Sequence, residues 1–242
     1  MENITERQKE ILIAIIKEFM ESADEVGSIA LLEKYDLGVS SATIRNEMVK
    51  LMDQGLLEKS HTSSGRHPTD QALRLYVRDI LGNCSLNPMI TVEIRRGIFR
   101  ERFSKNTIVD SILTVVSDET ESASFVIIDE ILRYWGISQL FKYEELRDTD
   151  KLQRVINILE DESFLNNLVK KYGGSGVSLI IGEESGIKGL EECALAFTKM
   201  PFWDARDSYV GVIGSKRMDY AKSVPALREV QNSMRNIMRG WN

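Results

Sequence analysis

The sequence predicts an α+β protein with a helical N-terminal part and a C-terminal part that mixes strands and helices. Apolar residues recur at helical spacing through most of the first 80 residues and again over residues 91–116. After residue 123, β-rich runs at residues 125–128, 177–181 and 209–213 are separated by helical segments. Because these strands and helices do not alternate strictly, we expect a mainly antiparallel sheet.

Composition is that of an ordinary globular protein, with 43% hydrophobic and 28% charged residues. The longest apolar runs fall short of the roughly 18 to 20 residues that span a membrane, so we expect a cytoplasmic protein. Cys84 and Cys193 are isolated, and neither has zinc-ligand spacing to His61 or His67. We therefore expect no metal site and no cofactor.

The first 39 residues predict two helices and two turns. Thr5 can cap a helix that runs to about Ser22, with one continuous apolar stripe. Residues 25–28 form a turn into a short second helix over residues 29–35. Residues 37–39 then make a tight turn into a third helix, an order that is typical of a helix-turn-helix.

The third helix begins where Ser40 and Ser41 can cap free backbone N–H groups, and it should end near Gly55. One face is apolar and predicts burial. Its residues are Ile44, Met48, Leu51 and Met52.

The opposite face of this helix is polar. At about 100° per residue, Thr43, Asn46 and Lys50 fall on that side, where they can hydrogen-bond bases or phosphates. Arg45 lies on the flank, so a contact with the DNA backbone or an ion pair suits it better than central base reading. Ala42 is small enough to permit close approach.

A short strand over residues 56–58 and a polar loop over residues 60–68 follow the third helix, as in a winged helix-turn-helix DNA-binding domain. Lys59, Arg66 and small hydroxyl residues are types that hold phosphates. The candidate DNA-binding residues are Ser40, Ser41, Thr43, Arg45, Asn46, Lys50, Lys59, His61, Thr62, Ser63, Arg66 and His67.

Charge changes sign where the candidate DNA-binding residues begin. The whole chain carries a net charge of −6, which argues against a protein that coats nucleic acid nonspecifically. Residues 1–39 hold 4 basic and 9 acidic side chains, whereas residues 40–78 hold 6 basic and 4 acidic ones. The local balance of +2 suits phosphate attraction by a site-specific binder.

Two other interpretations stay open on the pattern alone. An amphipathic helix followed by a solvated loop is common in α+β proteins, and a winged helix can also serve as a protein-interaction or scaffold module. An enzyme is disfavoured because the adjacent Glu183 and Glu184 point apart, and the glycine-rich residues 173–176 lack the lysine of a phosphate-binding loop.

The sequence as a whole predicts three domains, at residues 1–82, 83–120 and 121–242. Thr69 caps a helix over residues 71–81 that closes the first domain, and a Gly- and Pro-containing break at residues 82–88 follows it. Helices at residues 91–105 and 109–116 form a linker or dimerisation region. In the last domain, helical segments at residues 149–171 and from Tyr220 onward accompany the strands.

Literal motifs resemble those of the HrcA family of heat-inducible transcription repressors. GVSSATIRNEM at residues 38–48 and GLLEKSHTSSGRHPTD at residues 55–70 resemble the family signature. TERQKEIL at residues 5–12 and VGS at residues 26–28 resemble the opening motifs of the family. Its closing motifs resemble IGEES at residues 181–185 and YVGVIGSKRMDYAKSVP at residues 209–225.

This resemblance implies a winged-helix domain joined to a GAF-like domain. It also implies an inverted-repeat operator upstream of chaperone operons, and a GroEL-type chaperonin that helps the repressor stay active. Family members of usual length have a longer central region with an inserted dimerisation segment, most of which this chain lacks.

A homodimer is still expected, because an inverted repeat needs two recognition helices related by a two-fold axis. We expect it to form through residues 91–118 together with the α+β domain. The apolar residues expected at its surface are Ile98, Phe99, Phe103, Ile112, Leu113 and Val116. The alternative is that these side chains only cap the sheet of the second domain.

Overall fold

The computed structural model describes residues 4–22, 25–59, 65–80, 85–187 and 190–240 of the 242-residue chain. The chain divides into two compact units, Met1–Asn83 and Cys84–Asn242. Within the described residues, none of the helices has both the length and the apolar character needed to cross a membrane.

The first unit contains helices followed by a small antiparallel pair of strands. Its elements are α1 (Glu6–Ser22), α2 (Ser28–Lys34), α3 (Ser41–Asp53), β1 (Leu57–Glu58), β2 (His67–Pro68) and α4 (Asp70–Leu75), which a π-helical turn extends (Tyr76–Ile80). The three predicted N-terminal helices are confirmed to within one or two residues at each end.

Helix α1 begins with a reciprocal cap. The Thr5 hydroxyl accepts from the Gln8 backbone N–H at 3.2 Å, and the Gln8 side-chain oxygen accepts from the Thr5 N–H at 2.9 Å. The predicted apolar stripe of α1 is buried, with Ile11, Ile15 and Ile16 at 0% exposure. This stripe forms the centre of the first unit.

The second unit is a sheet covered on both faces. Its elements are α5 (Pro88–Arg100), α6 (Lys105–Thr120), β3 (Ala123–Ile128), β4 (Ile131–Trp135), α7 (Thr149–Glu160), α8 (Glu162–Tyr172), β5 (Ser178–Ile181), β6 (Cys193–Lys199), β7 (Ser208–Ser215) and α9 (Tyr220–Arg239). Short 3-10 turns lie at Ile137–Lys142, Glu144–Leu146 and Gly182–Ser185.

The five described strands of this unit lie in the order β4-β3-β7-β6-β5, and each neighbouring pair is antiparallel. Phe125, Leu195 and Ile213 point to the face that α7 and α8 cover. The side chains that alternate with these along the strands point to the other face of the sheet, where they meet α6 and α9. Ser124, for example, donates to the Leu113 carbonyl of α6 at 2.6 Å. The predicted α+β class with an antiparallel sheet is confirmed, and a five-stranded unit of this kind is consistent with a GAF-like domain.

Gly211 shows how tightly this sheet is packed. It lies in register with Phe125 on one neighbouring strand and Phe197 on the other. A Cβ atom at Gly211 would lie 2.3 Å from the Phe125 ring and 2.7 Å from the Phe197 Cβ. The missing side chain therefore makes room for two fully buried aromatic rings.

Helix α5 differs from its prediction at both ends. It begins at Pro88 rather than residue 91, because the Asn87 side chain accepts from the Met89 N–H at 2.9 Å and proline suits the first turn. It ends at Arg100 rather than near residue 105, and the Ser104 hydroxyl then caps α6.

The apolar surface expected at residues 91–118 is corrected in part. Ile98, Ile112, Leu113 and Val116 are buried inside the second unit. Phe99 is exposed, because it lies on the side of α5 away from α6 and α9, and Phe103 is exposed in the turn that follows the helix.

Candidate nucleic-acid interface

The N-terminus of α3 is fixed by two of the predicted DNA-binding residues. The Ser40 hydroxyl accepts from the Thr43 backbone N–H at 3.2 Å, and the two hydroxyl oxygens lie 3.0 Å apart. Ser41, the first residue of the helix, is half-buried, as is Thr43. Ser40 and Thr43 therefore shape the end of the helix, and the half-buried Thr43 lies at the edge of the exposed face.

The exposed face of α3 is centred on Ala42, Asn46 and Val49. Arg45 and Lys50 flank that centre on its two sides, and both are exposed. Sequence reasoning did not single out Val49 as a functional residue, although its side chain is 45% exposed on this face. The sequence does carry a signal for this exposure, because Val49 lies outside the apolar stripe of the helix.

Lys50 is held by a buried carboxylate. Its ammonium group donates to Glu47 at 2.8 Å, and the Gln8 side-chain amide of α1 donates to the other Glu47 oxygen at 3.0 Å. The Lys50 ammonium, together with the Gln8 amide, holds the pKa of the Glu47 carboxyl below its usual range, although burial opposes this shift. Glu47 thereby joins α1 to α3 and orients Lys50.

Three cationic side chains meet at a cavity of about 510 Å³ beside α3. Arg45 comes from the flank of α3, Lys59 follows β1, and Arg66 precedes β2. Among the described residues, the other lining positions are Gly27, Ser28, Ile29 and Met48, none of which is acidic. Two guanidinium groups and one ammonium group in a site of this size suit a phosphate.

Arg66 is positioned by its own backbone. Its N–H donates to the Val26 carbonyl at 3.2 Å, and the Val26 N–H donates to the Arg66 carbonyl at 2.9 Å. The Arg66 guanidinium donates to the Gly65 carbonyl at 2.9 Å, and its Nε lies 2.7 Å from the Met52 sulfur of α3. Val26 thus extends the β1–β2 pair by one bridge, which the sequence analysis treated as a turn.

Gly65 is required by its close approach to Glu25. A Cβ atom at Gly65 would lie 2.3 Å from the Glu25 Cβ, and the Gly65 N–H donates to the Glu25 carboxylate at 3.2 Å. The other oxygen of this carboxylate is buried without a hydrogen-bond partner. Glu25 therefore fixes the backbone immediately before Arg66, a role that sequence reasoning missed.

His67 does not line the cavity that the three cations share. Its ring is 6.3 Å from the Phe19 ring of α1, and its Nε2 is 3.8 Å from the Glu58 carboxylate across the strand pair. The predicted site residues His61, Thr62 and Ser63 lie outside the described residues. Among those described, no group of three or more His, Cys, Asp or Glu side chains could hold a metal ion.

Comparison with known proteins gives the family. The model of the HrcA protein C terminal domain matches residues 39–224, more than three quarters of the chain. The chain belongs to the HrcA family. The matched range starts immediately before α3 and ends within α9.

Curated relatives share the full extent of this chain. A heat-inducible transcription repressor HrcA of Clostridium botulinum (strain Alaska E43 / Type E3) is 25% identical, with 97% of this chain and 98% of the relative covered. A protein of the same name from Clostridium tetani is 24% identical, with 98% and 96% covered.

The HrcA relatives are longer than this chain. The alignment with the Clostridium botulinum protein runs over 338 positions, to which this chain contributes 97% of its 242 residues, about 235. About 100 positions of the relative therefore have no counterpart here. The expected shortening of the chain is confirmed, and its location in the central region stays a prediction.

One solved structure shares the fold. The crystal structure of a hypothetical protein at 2.2 Å resolution has a TM-score of 0.81 at 20% identity, and it covers 99% of this chain and 100% of its own.

Proposed function

We propose that this chain is a heat-inducible transcription repressor that binds double-stranded DNA through a winged helix-turn-helix in its first unit. Membership of the HrcA family supports the repressor function, because the relatives are named as heat-inducible transcription repressors. Such repressors act by occupying DNA rather than by catalysis, and they work in the cytoplasm, where the bacterial chromosome is.

The cavity formed by Arg45, Lys59 and Arg66 beside the exposed face of α3 is the observation that carries this proposal. With a phosphate held there, α3 lies against the groove next to that phosphate. The β1–β2 hairpin then acts as the wing. This arrangement separates the backbone contacts that orient the protein from the base contacts that give specificity.

The centre of the exposed α3 face supplies the base contacts. The amide of Asn46 can pair with the N6 and N7 edge of adenine, and the methyl groups of Val49 can contact the thymine methyl group. Ala42 allows the helix to approach closely. Lys50, oriented by Glu47, contacts the edge of the same groove or its phosphates.

The second unit is proposed to be a GAF-like domain that supports a homodimer. Two copies would place two α3 helices on the two halves of an inverted repeat upstream of chaperone operons. Heating would release the repressor from this DNA. The GroEL-type chaperonin implied by the family resemblance is proposed as a further partner that maintains the active repressor.

The salt dependence of DNA binding tests the proposal. We expect affinity for genomic fragments selected by the protein to fall linearly with salt on a double-logarithmic plot, because phosphate neutralisation releases counterions. Lys59→Ala should reduce the slope by about 1, since one phosphate contact is lost. Filter binding or fluorescence anisotropy between low and physiological salt measures both quantities.

Lys17→Ala is the matched control, because Lys17 is exposed on α1 in the same unit and does not line the cavity. It should leave the slope unchanged. Absence of duplex binding at every salt concentration would contradict the proposal and would favour a protein-interaction module.

A further inference from the structure

A chain of hydrogen bonds runs from the start of α1 to the exposed face of α3. The Gln8 side-chain oxygen accepts from the Thr5 N–H at 2.9 Å, and its amide nitrogen donates to one Glu47 oxygen at 3.0 Å. The other Glu47 oxygen accepts from the Lys50 ammonium at 2.8 Å. Because both ends of the Gln8 amide are used, its orientation is fixed. We call Gln8, Glu47 and Lys50 the α1–α3 relay.

The relay is buried at one end and open at the other. Gln8 is 4% exposed and Glu47 is 9% exposed, whereas the side chain of Lys50 is 59% exposed. The hydrogen bond from Lys50 is the main effect that lowers the pKa of the Glu47 carboxyl. The Gln8 amide and the charge of Arg7 act in the same direction, and burial opposes them. Glu47 is therefore ionised at neutral pH, and its negative charge holds the Lys50 ammonium.

A lysine held in this way is a poor ligand for a phosphate. To neutralise a phosphate, the Lys50 ammonium would have to leave Glu47, and removing one partner of a buried charge pair costs more than the pair contributes. Lys50 also lies on the opposite flank of the exposed α3 face from Arg45, which lines the cavity proposed for a phosphate. The relay therefore favours a base edge over a phosphate as the partner of Lys50.

The remaining donors of Lys50 select the base. An ammonium group has three N–H donors, and Glu47 takes one of them. In the major groove, guanine presents two neighbouring acceptors, O6 and N7, whereas adenine presents one acceptor beside a donor and thymine one acceptor beside a methyl group. Two donors on one nitrogen atom therefore match guanine. Asn46 lies about 6 Å before Lys50 along the helix axis, so the base pairs they contact are one or two steps apart.

We propose that the α1–α3 relay makes Lys50 a guanine-reading residue, with Gln8 and Glu47 as its positioning residues. The inference rests on the proposed function for the presence of DNA against α3, and it adds the identity of one base pair. Because Glu47 already matches the charge of Lys50, Lys50 contributes base preference without a phosphate contact. The phosphate contacts are left to the cations on the other flank of α3.

Base preference and the salt dependence of DNA binding together test the proposal. The probe is a duplex that the wild-type chain selects from a random-sequence pool, titrated beside its single-base-pair variants and a scrambled duplex. We expect a G·C pair one or two steps from the pair that Asn46→Ala affects. Lys50→Met should lower the preference for that G·C pair about tenfold or more and leave the salt slope unchanged, because a base contact but no phosphate contact is lost.

Substitution of Glu47 should change the salt dependence. Glu47→Gln releases the Lys50 ammonium to a phosphate, so we expect a weaker G·C preference, tighter binding of the scrambled duplex and a slope steeper by about 1. Glu47→Gln/Lys50→Met should return to the wild-type slope, which assigns the change to Lys50. Glu10→Gln is the matched control, because it removes an exposed carboxylate of α1 outside the relay. It should keep the wild-type preference and slope.

Gln8→Met separates the position of Lys50 from its charge. It removes the amide that holds Glu47 but keeps the carboxylate, so we expect a weaker preference for the G·C pair at an unchanged slope. A purely structural role for Gln8 would lower affinity for all duplexes alike.

Three results would overturn the proposal while the proposed function stands. They are a Lys50-dependent pair other than G·C, a reduced slope with unchanged base preference in Lys50→Met, and a wild-type slope in Glu47→Gln. Absence of duplex binding by the wild-type chain would instead remove the proposed function and this inference together.

Discussion

At the scale of single residues, Arg66 illustrates how the candidate interface is organised. Its backbone is bridged to Val26, the preceding Gly65 is fixed by Glu25, and its side chain reaches the cavity shared with Arg45. A cation that is ordered before binding loses less conformational entropy when it meets a phosphate. Arg66 is therefore expected to contribute to affinity for every DNA sequence.

Asn46 and Arg66 should respond differently to truncation. Asn46→Ala removes a base contact, so we expect it to cost about 1–3 kcal/mol on the cognate duplex and to relax sequence choice. Arg66→Ala should weaken cognate and scrambled duplexes alike. Binding titrations of both variants on both duplexes measure this difference, and equal loss of specificity in the two would show that the assignment of the α3 face is wrong.

Acid should weaken the first unit through Glu47. Its pKa is lowered in the folded protein, mainly by the hydrogen bond from Lys50, relative to an ordinary value of 4.5. The stabilisation is therefore complete above pH 4.5 and is lost as the pH falls through the folded-state pKa.

Denaturant unfolding between pH 7 and pH 3 measures this effect as the difference in the free energy of unfolding between the wild-type chain and Glu47→Gln. The wild-type chain should lose more stability on acidification than the variant. Glu33→Gln, at an exposed position of α2, serves as the control and should keep the wild-type pH dependence. Parallel pH curves for wild type and Glu47→Gln would contradict the role of this carboxylate.

At the scale of the elements, the packing of β7 gives a direct test of the sheet. Gly211→Ala should destabilise the second unit by about 1–3 kcal/mol, because the added methyl group collides with the Phe125 ring and the Phe197 Cβ. Gly176→Ala is the control, since a Cβ there meets nothing within 4 Å. Chemical denaturation followed by near-UV circular dichroism compares the two, and equal stabilities would contradict this packing.

Elements with long periodic patterns were predictable from the sequence. The stripes of α1, α3 and α6 predicted those helices, and the β-branched run of β3 predicted that strand. Strands β4 and β6 were missed. Residues 131–135 form an edge strand with exposed apolar side chains, and residues 193–199 contain small residues that favour no particular element.

The candidate site was predictable in its residues but not in its assembly. Residue types alone suggested phosphate contacts for Arg45, Lys59 and Arg66. Their meeting at one cavity depends on the bridge between Val26 and Arg66, which joins segments 40 residues apart in sequence. Local patterns carry no signal for such a non-local contact, nor for the buried Glu47 within a mostly apolar stripe.

At the scale of the whole molecule, the two units divide the work of the proposed repressor. The first unit gathers three cations at one cavity beside an exposed helix face, in a chain whose net charge is −6. The negative net charge repels DNA, whereas the three cations attract phosphates locally. This combination disfavours nonspecific coating of DNA and favours binding at specific sites. The second unit is proposed to support the homodimer, so that recognition and assembly would use separate units.

A nuclease footprint of the purified protein on its own genomic DNA tests the central claim most directly. We expect protected inverted repeats upstream of chaperone operons, and the protection should be lost with Arg45→Ala/Arg66→Ala while the fold is kept. Protected sites away from chaperone promoters would contradict the proposed target. Protection that survives the double substitution would contradict the proposed interface.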